Sequence, residues 1–289
     1  MNGISIIIIT KNEEKNIADC LESLHEIDYD KHNYEIIVCD SSNDKTPDVV
    51  KNFPDVTLFR VEKQSYGAAR NMGISKAKYD YIAFIDADCT APKGWLAILA
   101  NSIDGFAGVG GCAYPPKNAS YVGKCIACLG YPAGGALGTE ILDGTISTCN
   151  ALFEKSALIS VGCFQEGLLF GGEDTDLSAR LHQLGHKIKI EKNSFVWHKT
   201  RTFSNFLPWC FKRGKAKYNL EKNPTQLVMP LSVIAYPFSK RFKLLLEKRK
   251  SIGISLASAF TIVIALFFLR QMMMSAGWLA GFLGEKWTR

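Results

Sequence analysis

The sequence predicts an α/β protein built on a mostly parallel sheet with helices on both faces. Short apolar runs alternate with helical patterns from residue 1 to about residue 115, as in strands linked by crossover helices. The apolar runs are continuous, which is typical of strands buried on both faces. At 289 residues the chain can hold one large domain with an appendage.

Five strands and four helices are predicted in this first part of the chain. The strands cover residues 4–9, 35–40, 56–61, 81–86 and 109–113. The helices between them cover residues 14–25, 47–53, 67–77 and 95–102. The first helix has one apolar face, because its apolar residues recur at three- and four-residue spacing: Ile17, Cys20, Leu21 and Leu24.

The middle of the chain, residues 114–144, is rich in Gly, Pro and Ala and has no clear periodicity. Long irregular segments of this kind in compact domains are usually functional loops or lids. The elements predicted after it are a strand at 146–153, a helix near 155–161, a glycine loop at 167–172, a helix at 173–184, and strand-like segments at 187–191 and 195–197.

Polar clusters follow the first two strands at their carboxyl ends. The first strand ends in Thr10-Lys11-Asn12-Glu13 and the second in Asp40-Ser41-Ser42-Asn43-Asp44. In open α/β sheets ligands bind beyond these ends, and a carboxylate there can accept a hydrogen bond from a ribose hydroxyl or a base N–H. Each cluster alone is also explained by ordinary turn and cap chemistry.

The strand at 81–86 ends in Asp86-Ala87-Asp88, two carboxylates separated by one small residue. Hard oxygen donors on a short turn suit Mg²⁺ or Mn²⁺, and such an ion suits a diphosphate. An isolated Asp-x-Asp is more often an acidic surface turn, so this interpretation depends on the rest of the chain.

Three further segments contain side chains that could take part in binding or catalysis. The small residues of Gly67-Ala68-Ala69-Arg70-Asn71 would let a helix start pack close to a nucleotide. Glu173-Asp174-Thr175-Asp176 opens a helix behind Gly171-Gly172, where acids are stabilised by the helix dipole and a carboxylate is well placed as a general base. His198 follows a strand-like run and could add a nitrogen ligand to a metal.

The C-terminal part is basic and apolar. Residues 206–250 contain eleven Lys/Arg and two Glu, a net charge of +9, and interleave aromatics with basic residues as an interfacial helix does. Residues 251–269 carry no charge and are long enough to span a bilayer, and a second, shorter apolar stretch follows at 271–284. The flanking Lys/Arg place residues 1–250 on the cytoplasmic side. We therefore expect contact with anionic membrane lipids and not with nucleic acid.

Motifs that are typical of several other protein classes are missing from this sequence. There is no Gly-x-Gly-x-x-Gly, no P-loop and no Gly-x-Ser-x-Gly elbow, which disfavours dinucleotide, P-loop and α/β-hydrolase interpretations. Cys125-x-x-Cys128 has no second pair at zinc-ligand spacing, and nine scattered cysteines fit a reduced compartment.

In order and approximate spacing, these motifs resemble the family 2 glycosyltransferases of GT-A fold, which use nucleotide-diphospho-sugars and invert the anomeric centre. The resemblance covers roughly residues 1–215 and implies a divalent cation, Mg²⁺ or Mn²⁺. By this resemblance, the residues that bind the nucleotide sugar are expected to be Thr10, Asn12, Glu13, Asp40, Ser42, Gly67, Arg70, Asn71 and Asp86.

The resemblance also assigns individual roles. Asp40 would hold the nucleobase, and Asp88 would ligate the metal, with Asp86 beside it and His198 as a further ligand. Asp174 would be the catalytic base, with Glu173 orienting the acceptor or supporting that base. The Gln-x-x-Arg-Trp pattern of the family's processive synthases is missing from the sequence, so one or a few sugars per encounter are expected.

The resulting expectation is a membrane-anchored enzyme of three parts. Residues 1–205 form the catalytic domain, with a nucleotide-sugar half (1–115) and an acceptor and base half (116–205). Residues 206–250 form an amphipathic interfacial segment and 251–289 a transmembrane anchor. The enzyme would transfer a sugar to a lipid-linked or membrane-presented acceptor at the cytoplasmic face of the cell membrane. The alternatives are a polyprenyl-phosphate sugar synthase and a non-catalytic, membrane-tethered binding protein.

Overall fold

A computed structural model of the chain describes residues 3–62, 65–129, 144–168, 171–220, 246, 249–250 and 253–287. The chain divides into two compact units. The first comprises Met1–Tyr114, Glu140–Gly167 and Glu173–His198, and the second Pro115–Thr139, Leu168–Gly172 and Lys199–Arg289. The functional division predicted at residues 115, 205 and 250 stays a prediction.

The described residues form eight strands and ten α-helices. The strands are β1 (Ile4–Thr10), β2 (Tyr34–Asp40), β3 (Val56–Arg60), β4 (Tyr81–Ile85), β5 (Cys89–Thr90), β6 (Gly108–Tyr114), β7 (Asn150–Glu154) and β8 (Ile188–His198). The helices are α1 (Ile17–His25), α2 (Thr46–Val50), α3 (Tyr66–Lys76), α4 (Trp95–Ser102), α5 (Tyr121–Ala127), α6 (Lys155–Ser160), α7 (Glu173–Gln183), α8 (Phe203–Leu220), α9 (Leu256–Ser258) and α10 (Ile264–Trp287).

The first unit contains one mixed sheet in the order β3-β2-β1-β4-β7-β6-β8-β5. β1 runs parallel to β2 and β4, β2 to β3, and β6 to β8. β7 lies antiparallel between β4 and β6, and β5 lies antiparallel to β8. The predicted mostly parallel sheet flanked by helices is therefore confirmed. Because β1, β2 and β4 are parallel, their polar carboxyl ends meet at one edge.

The core of this unit follows the predicted apolar pattern. β1 and β2 are buried along most of their length, as continuous apolar strands require. The apolar face predicted for α1 is confirmed, since all four of its residues are fully buried: Ile17, Cys20, Leu21 and Leu24.

Three local predictions were incomplete. The two strand-like segments near residues 187–197 form a single strand, β8. The two-residue strand β5 is too short to leave a periodic signal in the sequence. Residues 114–144 were expected to be irregular, yet α5 forms there, with the Ser120 hydroxyl accepting a hydrogen bond from the N–H of Gly123. Residues 130–143 of that segment lie outside the described residues.

In the second unit, glycines bring α8 and α10 into close contact. A Cβ atom on Gly214 would lie 2.0 Å from the backbone oxygen of Met274, and one on Gly277 would lie 1.9 Å from that of Phe211. Phe206, Cys210 and Tyr218 of α8 are buried among the apolar residues of this unit. Small residues at such contacts are typical of helix pairs in membranes. Residues 221–245 of the predicted interfacial segment lie outside the described residues.

The two predicted apolar stretches at 251–269 and 271–284 belong to one helical segment. α9, a π-helical turn (Ala259–Val263) and α10 follow one another without a break. Arg270 and Gln271 interrupt the apolar run in the sequence, but their side chains are buried and hydrogen-bonded to each other, so the backbone continues as a helix. The second apolar stretch therefore continues the same helix and is not a separate element.

One helical segment of the described residues, Leu256–Gly284, is long and apolar enough to cross a membrane. In its most apolar stretch of 18 residues, 28% is buried within the protein. A core helix of a soluble domain would be mostly buried, so this segment suggests membrane association.

The close approach of α8 and α10 can be tested with two Gly→Ala variants. Gly214→Ala should lower the free energy of unfolding by about 1–3 kcal/mol, because the new methyl group meets backbone that cannot move independently. Gly284→Ala adds the same methyl group where nothing lies within 4 Å and should have a neutral or stabilising effect. Thermal unfolding of the purified full-length chain in detergent measures both variants. Equal melting temperatures would contradict the close approach.

Candidate active site

A row of three polar side chains crosses the ends of β1, β2 and β3. The strand register pairs Thr10 with Asp40 and Asp40 with Arg60. The Thr10 hydroxyl donates to Asp40 Oδ1 over 2.6 Å, and the Arg60 guanidinium pairs with Asp40 Oδ2. Asp40 is fully buried, and a buried carboxylate needs such partners. The Asp40 side chain has no exposed surface, so its role toward a nucleobase stays a prediction.

The loops after β1 and β2 are tied together at the same edge. Asn12 adopts a positive φ of 61°, its N–H donates to the Ser42 hydroxyl at 2.7 Å, and its side-chain oxygen accepts from the N–H of Asn43 at 2.9 Å. The N–H of Glu13 donates to the Thr46 hydroxyl at 2.8 Å. These bonds hold Asn12 and Ser42 in a fixed loop beside Asp40, so this edge of the site is preorganised.

Two carboxylates and an imidazole meet where β4 ends. The turn after β4 is closed by a 3.0 Å hydrogen bond from the N–H of Cys89 to the backbone oxygen of Asp86. His198, at the end of β8, places its Nε2 atom 3.5 Å from Asp88 Oδ1 and 3.7 Å from Asp86 Oδ2. The structure therefore brings together the three side chains predicted as metal ligands, although 110 residues separate His198 from Asp88 in the sequence.

The charge state of His198 follows from these neighbours. Burial of the ring lowers the pKa, but the Asp88 and Asp86 carboxylates outweigh it and raise the pKa of His198 from 6.5 to about 9. Glu13 responds in the same direction: burial raises the pKa of its carboxyl, a hydrogen bond from Asn16 opposes this, and repulsion from Asp88 and Asp86 adds to the rise. The edge of the sheet is thus strongly acidic and holds a proton on His198.

Arg70 joins this cluster to the start of α7. Its guanidinium lies 2.7 Å from Glu173 Oε1 and 3.6 Å from Asp86 Oδ1. Arg70 and Glu173 are both about 95% buried. The second carboxylate oxygen of Glu173, Oε2, is also buried and has no hydrogen-bond partner among the described residues. A buried acceptor without a donor is costly, which marks Oε2 as a place where a ligand hydroxyl would fit.

Asp174 begins α7 beside Glu173. Its Oδ1 atom accepts a 2.8 Å hydrogen bond from the N–H of Thr175, and its charge acts on Arg70. Asp174 is only partly buried, unlike Glu173. Gly171 and Gly172, which precede the helix, both adopt positive φ angles of 95° and 101°, so this turn needs residues without a side chain.

Residues 5–161 match the family model described as glycosyl transferase family 2. The match covers more than half of the chain. The chain belongs to this family. As the resemblance predicted, it is therefore a nucleotide-sugar glycosyltransferase, and its sheet is that of the GT-A fold.

Curated relatives of this glycosyltransferase include archaeal and bacterial proteins. The chain is 28% identical over 233 residues to the glycosyltransferase AglE of Haloferax volcanii, covering 74% of this chain and 72% of that protein. It is 27% identical over 209 residues to the poly-beta-1,6-N-acetyl-D-glucosamine synthase of Staphylococcus aureus strain COL, covering 68% of this chain. The match spans only half of that synthase.

A third relative is more similar over a shorter region. The dolichyl N-acetyl-alpha-D-glucosaminyl phosphate 3-beta-D-2,3-diacetamido-2,3-dideoxy-beta-D-glucuronosyltransferase of Methanococcus voltae is 42% identical over 103 residues, which is 33% of this chain and 32% of that protein.

Solved structures share the fold at low sequence identity. The mannosyltransferase PcManGT of Pyrobaculum calidifontis, in complex with GDP-Man and Mn²⁺, superposes with a TM-score of 0.63 at 18% identity, covering 100% of this chain and 88% of that one. TarS 1–349 of S. aureus, in complex with UDP-GlcNAc, superposes with a TM-score of 0.56 at 14% identity, covering 98% and 92% of the two chains.

Two of the residues predicted to bind the nucleotide sugar, Gly67 and Asn71, contact another part of the first unit. A Cβ atom on Gly67 would lie 2.5 Å from the backbone oxygen of Gln165. The side-chain amide of Asn71 donates to the backbone oxygen of Phe164 at 2.9 Å, and its oxygen accepts from the Phe164 N–H at 2.9 Å. Both residues therefore pack α3 against residues 164–166, and their role toward the donor stays a prediction.

The structure also adds two residues that the sequence patterns did not single out. Arg60 is the charge partner of Asp40, and Cys89 lies with Asp88 and His198 in a group whose ligand atoms are all within 4.8 Å of one another. Arg60 ends its strand as Asp40 does, so the strand-end rule could have found it. Cys89 depends on the register of β5 against β8, which no local pattern encodes.

The raised pKa of His198 predicts a pH dependence of stability. Because the pKa rises from 6.5 to about 9 on folding, the ion pair adds stability that is complete below pH 6.5 and is lost as the pH rises through 9. The contribution is on the order of 3 kcal/mol. We expect the melting temperature, measured with a chelator, to fall across this interval.

The matched variants are His198→Gln and His32→Gln, since His32 is exposed. The part of the fall that is due to the ion pair should disappear in His198→Gln and persist in His32→Gln. The same pH profile for His198→Gln and the unmodified chain would rule out the proposed charge pairing.

Proposed function

We propose that this glycosyltransferase moves a sugar, with inversion, from a nucleoside diphosphate donor to a hydroxyl of a lipid-linked or membrane-presented acceptor. The reaction is metal-assisted and takes place at the cytoplasmic face of the cell membrane. The observation that carries the proposal is the buried Arg70, which joins the metal-side carboxylate Asp86 to the base-bearing start of α7 through Glu173.

The strand-end row serves as the donor site. Asp40 accepts from a nucleobase N–H while Thr10 and Arg60 hold its carboxylate in place. The Arg60 side chain is 54% exposed, so its remaining N–H groups are available to a base carbonyl or a ribose hydroxyl. Asn12, Ser42 and the raised-pKa carboxyl of Glu13 line the same edge. A donor bound here points its diphosphate toward the turn that follows β4.

Asp88 and His198, with Asp86 3.7 Å from His198, offer carboxylate oxygens and one imidazole nitrogen that fit a divalent cation such as Mg²⁺ or Mn²⁺. Such an ion stabilises the negative charge that develops on the departing nucleoside diphosphate. Arg70 keeps Asp86 oriented, and His198 has to release its proton before its nitrogen can act as a ligand.

The start of α7 supplies the base. Asp174 removes the proton from the acceptor hydroxyl as its oxygen attacks the anomeric carbon, and its position in the first helical turn favours the ionised form that a base requires. Glu173 acts beside it: Arg70 holds Oε1, and the unpaired Oε2 accepts a hydrogen bond from a sugar hydroxyl. A single base is sufficient for attack from the face opposite the leaving group, which yields inversion.

The acceptor is proposed from the second unit and from the relatives. The Leu256–Gly284 segment anchors the enzyme, and the basic residues before it contact anionic lipid. Confinement to one surface raises the effective concentration of a membrane-bound acceptor. A relative whose name specifies a dolichyl phosphate-linked sugar supports this choice.

The base assignment is tested by Asp174→Asn. Transfer measured with membrane acceptor, Mn²⁺ and radiolabelled UDP-, GDP- or dTDP-sugars should fall by about 10²–10⁴-fold, while binding of the donor nucleotide persists. Asp176→Asn removes a carboxylate two residues away, which pairs with Arg180 at 2.6 Å, and should change transfer much less.

Two outcomes would contradict the proposal. Full transfer by Asp174→Asn would favour an acceptor that is already anionic, as in a polyprenyl-phosphate sugar synthase. Donor binding with no transfer or hydrolysis under any condition would favour a membrane-tethered binding protein.

The membrane assignment predicts how the protein partitions. The full-length chain should stay with membranes after alkaline carbonate extraction, because a 29-residue apolar helix cannot leave the bilayer without exposing its apolar surface. A chain ending at Lys250 lacks this helix and should be released. Recovery of the full-length chain in the supernatant would overturn the anchor. Full activity of a chain lacking residues 206–289 on a short soluble acceptor would overturn the membrane-presented acceptor.

A further inference from the structure

A thiol lies in the same cluster as the carboxylates that we assign to the metal. The ligand atoms of Asp88, Cys89 and His198 are all within 4.8 Å of one another. Among the described residues, this is the one group of three or more such side chains close enough to share an ion. The set combines an oxygen, a sulfur and a nitrogen donor, so it differs chemically from a site made of carboxylates alone.

The register of the sheet places the thiol there. Cys89 in β5 lies directly opposite His198 in β8, and residues directly opposite each other on antiparallel strands present their side chains on the same face. Cys89 is fully buried and His198 is 4% exposed, so neither side chain is free to turn into solvent. The turn from Asp86 to Cys89 is closed by a backbone hydrogen bond, which fixes Cys89 next to Asp88.

A second buried thiol lies next to the first. Burial, together with the neighbouring thiol of Cys149, raises the pKa of the Cys89 thiol. Cys149 is 2% exposed and precedes β7. An ion that binds Cys89 therefore has to displace the proton that burial keeps on this thiol.

Donor chemistry then decides which ion the site prefers. Mg²⁺ selects oxygen donors and retains water, whereas sulfur and imidazole donors favour borderline and soft ions such as Zn²⁺ and Co²⁺. We propose that Cys89 is a sulfur ligand of this site, which therefore binds a thiophilic divalent cation through Asp88, Cys89 and His198 in preference to Mg²⁺. The inference rests on the proposed use of Asp88 and His198 as metal ligands.

Ion binding includes a balanced proton transfer. The S–H bond of Cys89 breaks as the sulfur–metal bond forms, both electrons of the new bond come from sulfur, and the proton leaves to water. The same holds for the nitrogen-bound proton of His198. No oxidant or reductant takes part.

The experiment uses metal-stripped, full-length protein and Co²⁺ as a spectroscopic probe, without donor or acceptor. The wild-type protein should develop a near-ultraviolet sulfur-to-Co²⁺ absorption band with one equivalent. Equimolar Zn²⁺ should remove the band, and a 100-fold excess of Mg²⁺ should leave most of it. Failure of the wild-type protein to show this band while it binds Co²⁺ would overturn the proposal without any variant.

Three variants test which residues give rise to the absorption band. Cys89→Ser should lose it and bind Zn²⁺ more than about 10-fold more weakly, with Mg²⁺ binding little changed. Asp88→Asn should lose Co²⁺ binding at this site. Cys125→Ser alters a different buried thiol, in the Cys125-x-x-Cys128 pair, and should keep the band. Loss of the band in Cys125→Ser but not in Cys89→Ser would overturn the proposal.

Failure of this inference is distinguishable from failure of the proposed function. Co²⁺ binding that depends on Asp88 but gives no sulfur band would leave the metal-assisted mechanism standing and reject the sulfur ligand. Co²⁺ binding that is unaffected by Asp88→Asn, or absent even when a nucleoside diphosphate is present, would reject both. Circular dichroism of each variant confirms that it is folded.

Discussion

The buried guanidinium of Arg70 is the interaction on which the site depends. It reaches from α3 to Glu173, 103 residues later in the chain, and to Asp86 at the end of β4. Three segments of the first unit thereby share one charge network. Removing one partner from a buried ion pair costs about 3–5 kcal/mol, because the other charge is left without compensation. The conformation of the acidic sheet edge therefore depends energetically on that of the start of α7, and the reverse.

A second polar centre organises the other half of the sheet. Asn150, fully buried at the start of β7, accepts from the indole N–H of Trp95 at 2.8 Å and donates to the backbone oxygen of Cys112 at 2.9 Å. It thus ties α4 and β6 to the antiparallel strand inserted next to β4. Since β6 pairs with β8, this network also helps to position His198. Buried polar groups that are fully hydrogen-bonded favour one arrangement of a core over its alternatives.

The site combines two kinds of preorganisation. At the ends of β1, β2 and β3, polar side chains satisfy one another and leave spare lone pairs and N–H groups for a donor. At the ends of β4 and β8 and the start of α7, charged side chains pair with one another, and the buried Oε2 atom of Glu173 has no hydrogen-bond partner among the described residues. The first arrangement suits recognition of a nucleotide, and the second suits stabilisation of charge that appears only during transfer. This difference explains why binding and turnover are expected to respond to different substitutions.

The sequence by itself determined the α/β class, the apolar face of α1, and the strand ends where Thr10, Asp40 and Asp86 lie. Each of these follows from local periodicity or from the rule that ligands bind beyond parallel strand ends. It also determined the family, through motifs in order. His198 was predicted as a metal ligand from its place after a strand-like run and from the resemblance, but its proximity to Asp88 depends on how β8 returns to the sheet.

Only the tertiary structure decided which side chains meet. Arg60 against Asp40, Arg70 against Glu173 and Cys89 against His198 are set by strand register and helix packing, which link residues far apart in the chain. The same reason applies to the C-terminal helix: Arg270 looked like the end of an apolar segment until packing showed it buried inside one helix. Local sequence patterns indicate which secondary structure a residue favours, whereas the side chains that it contacts depend on the whole fold.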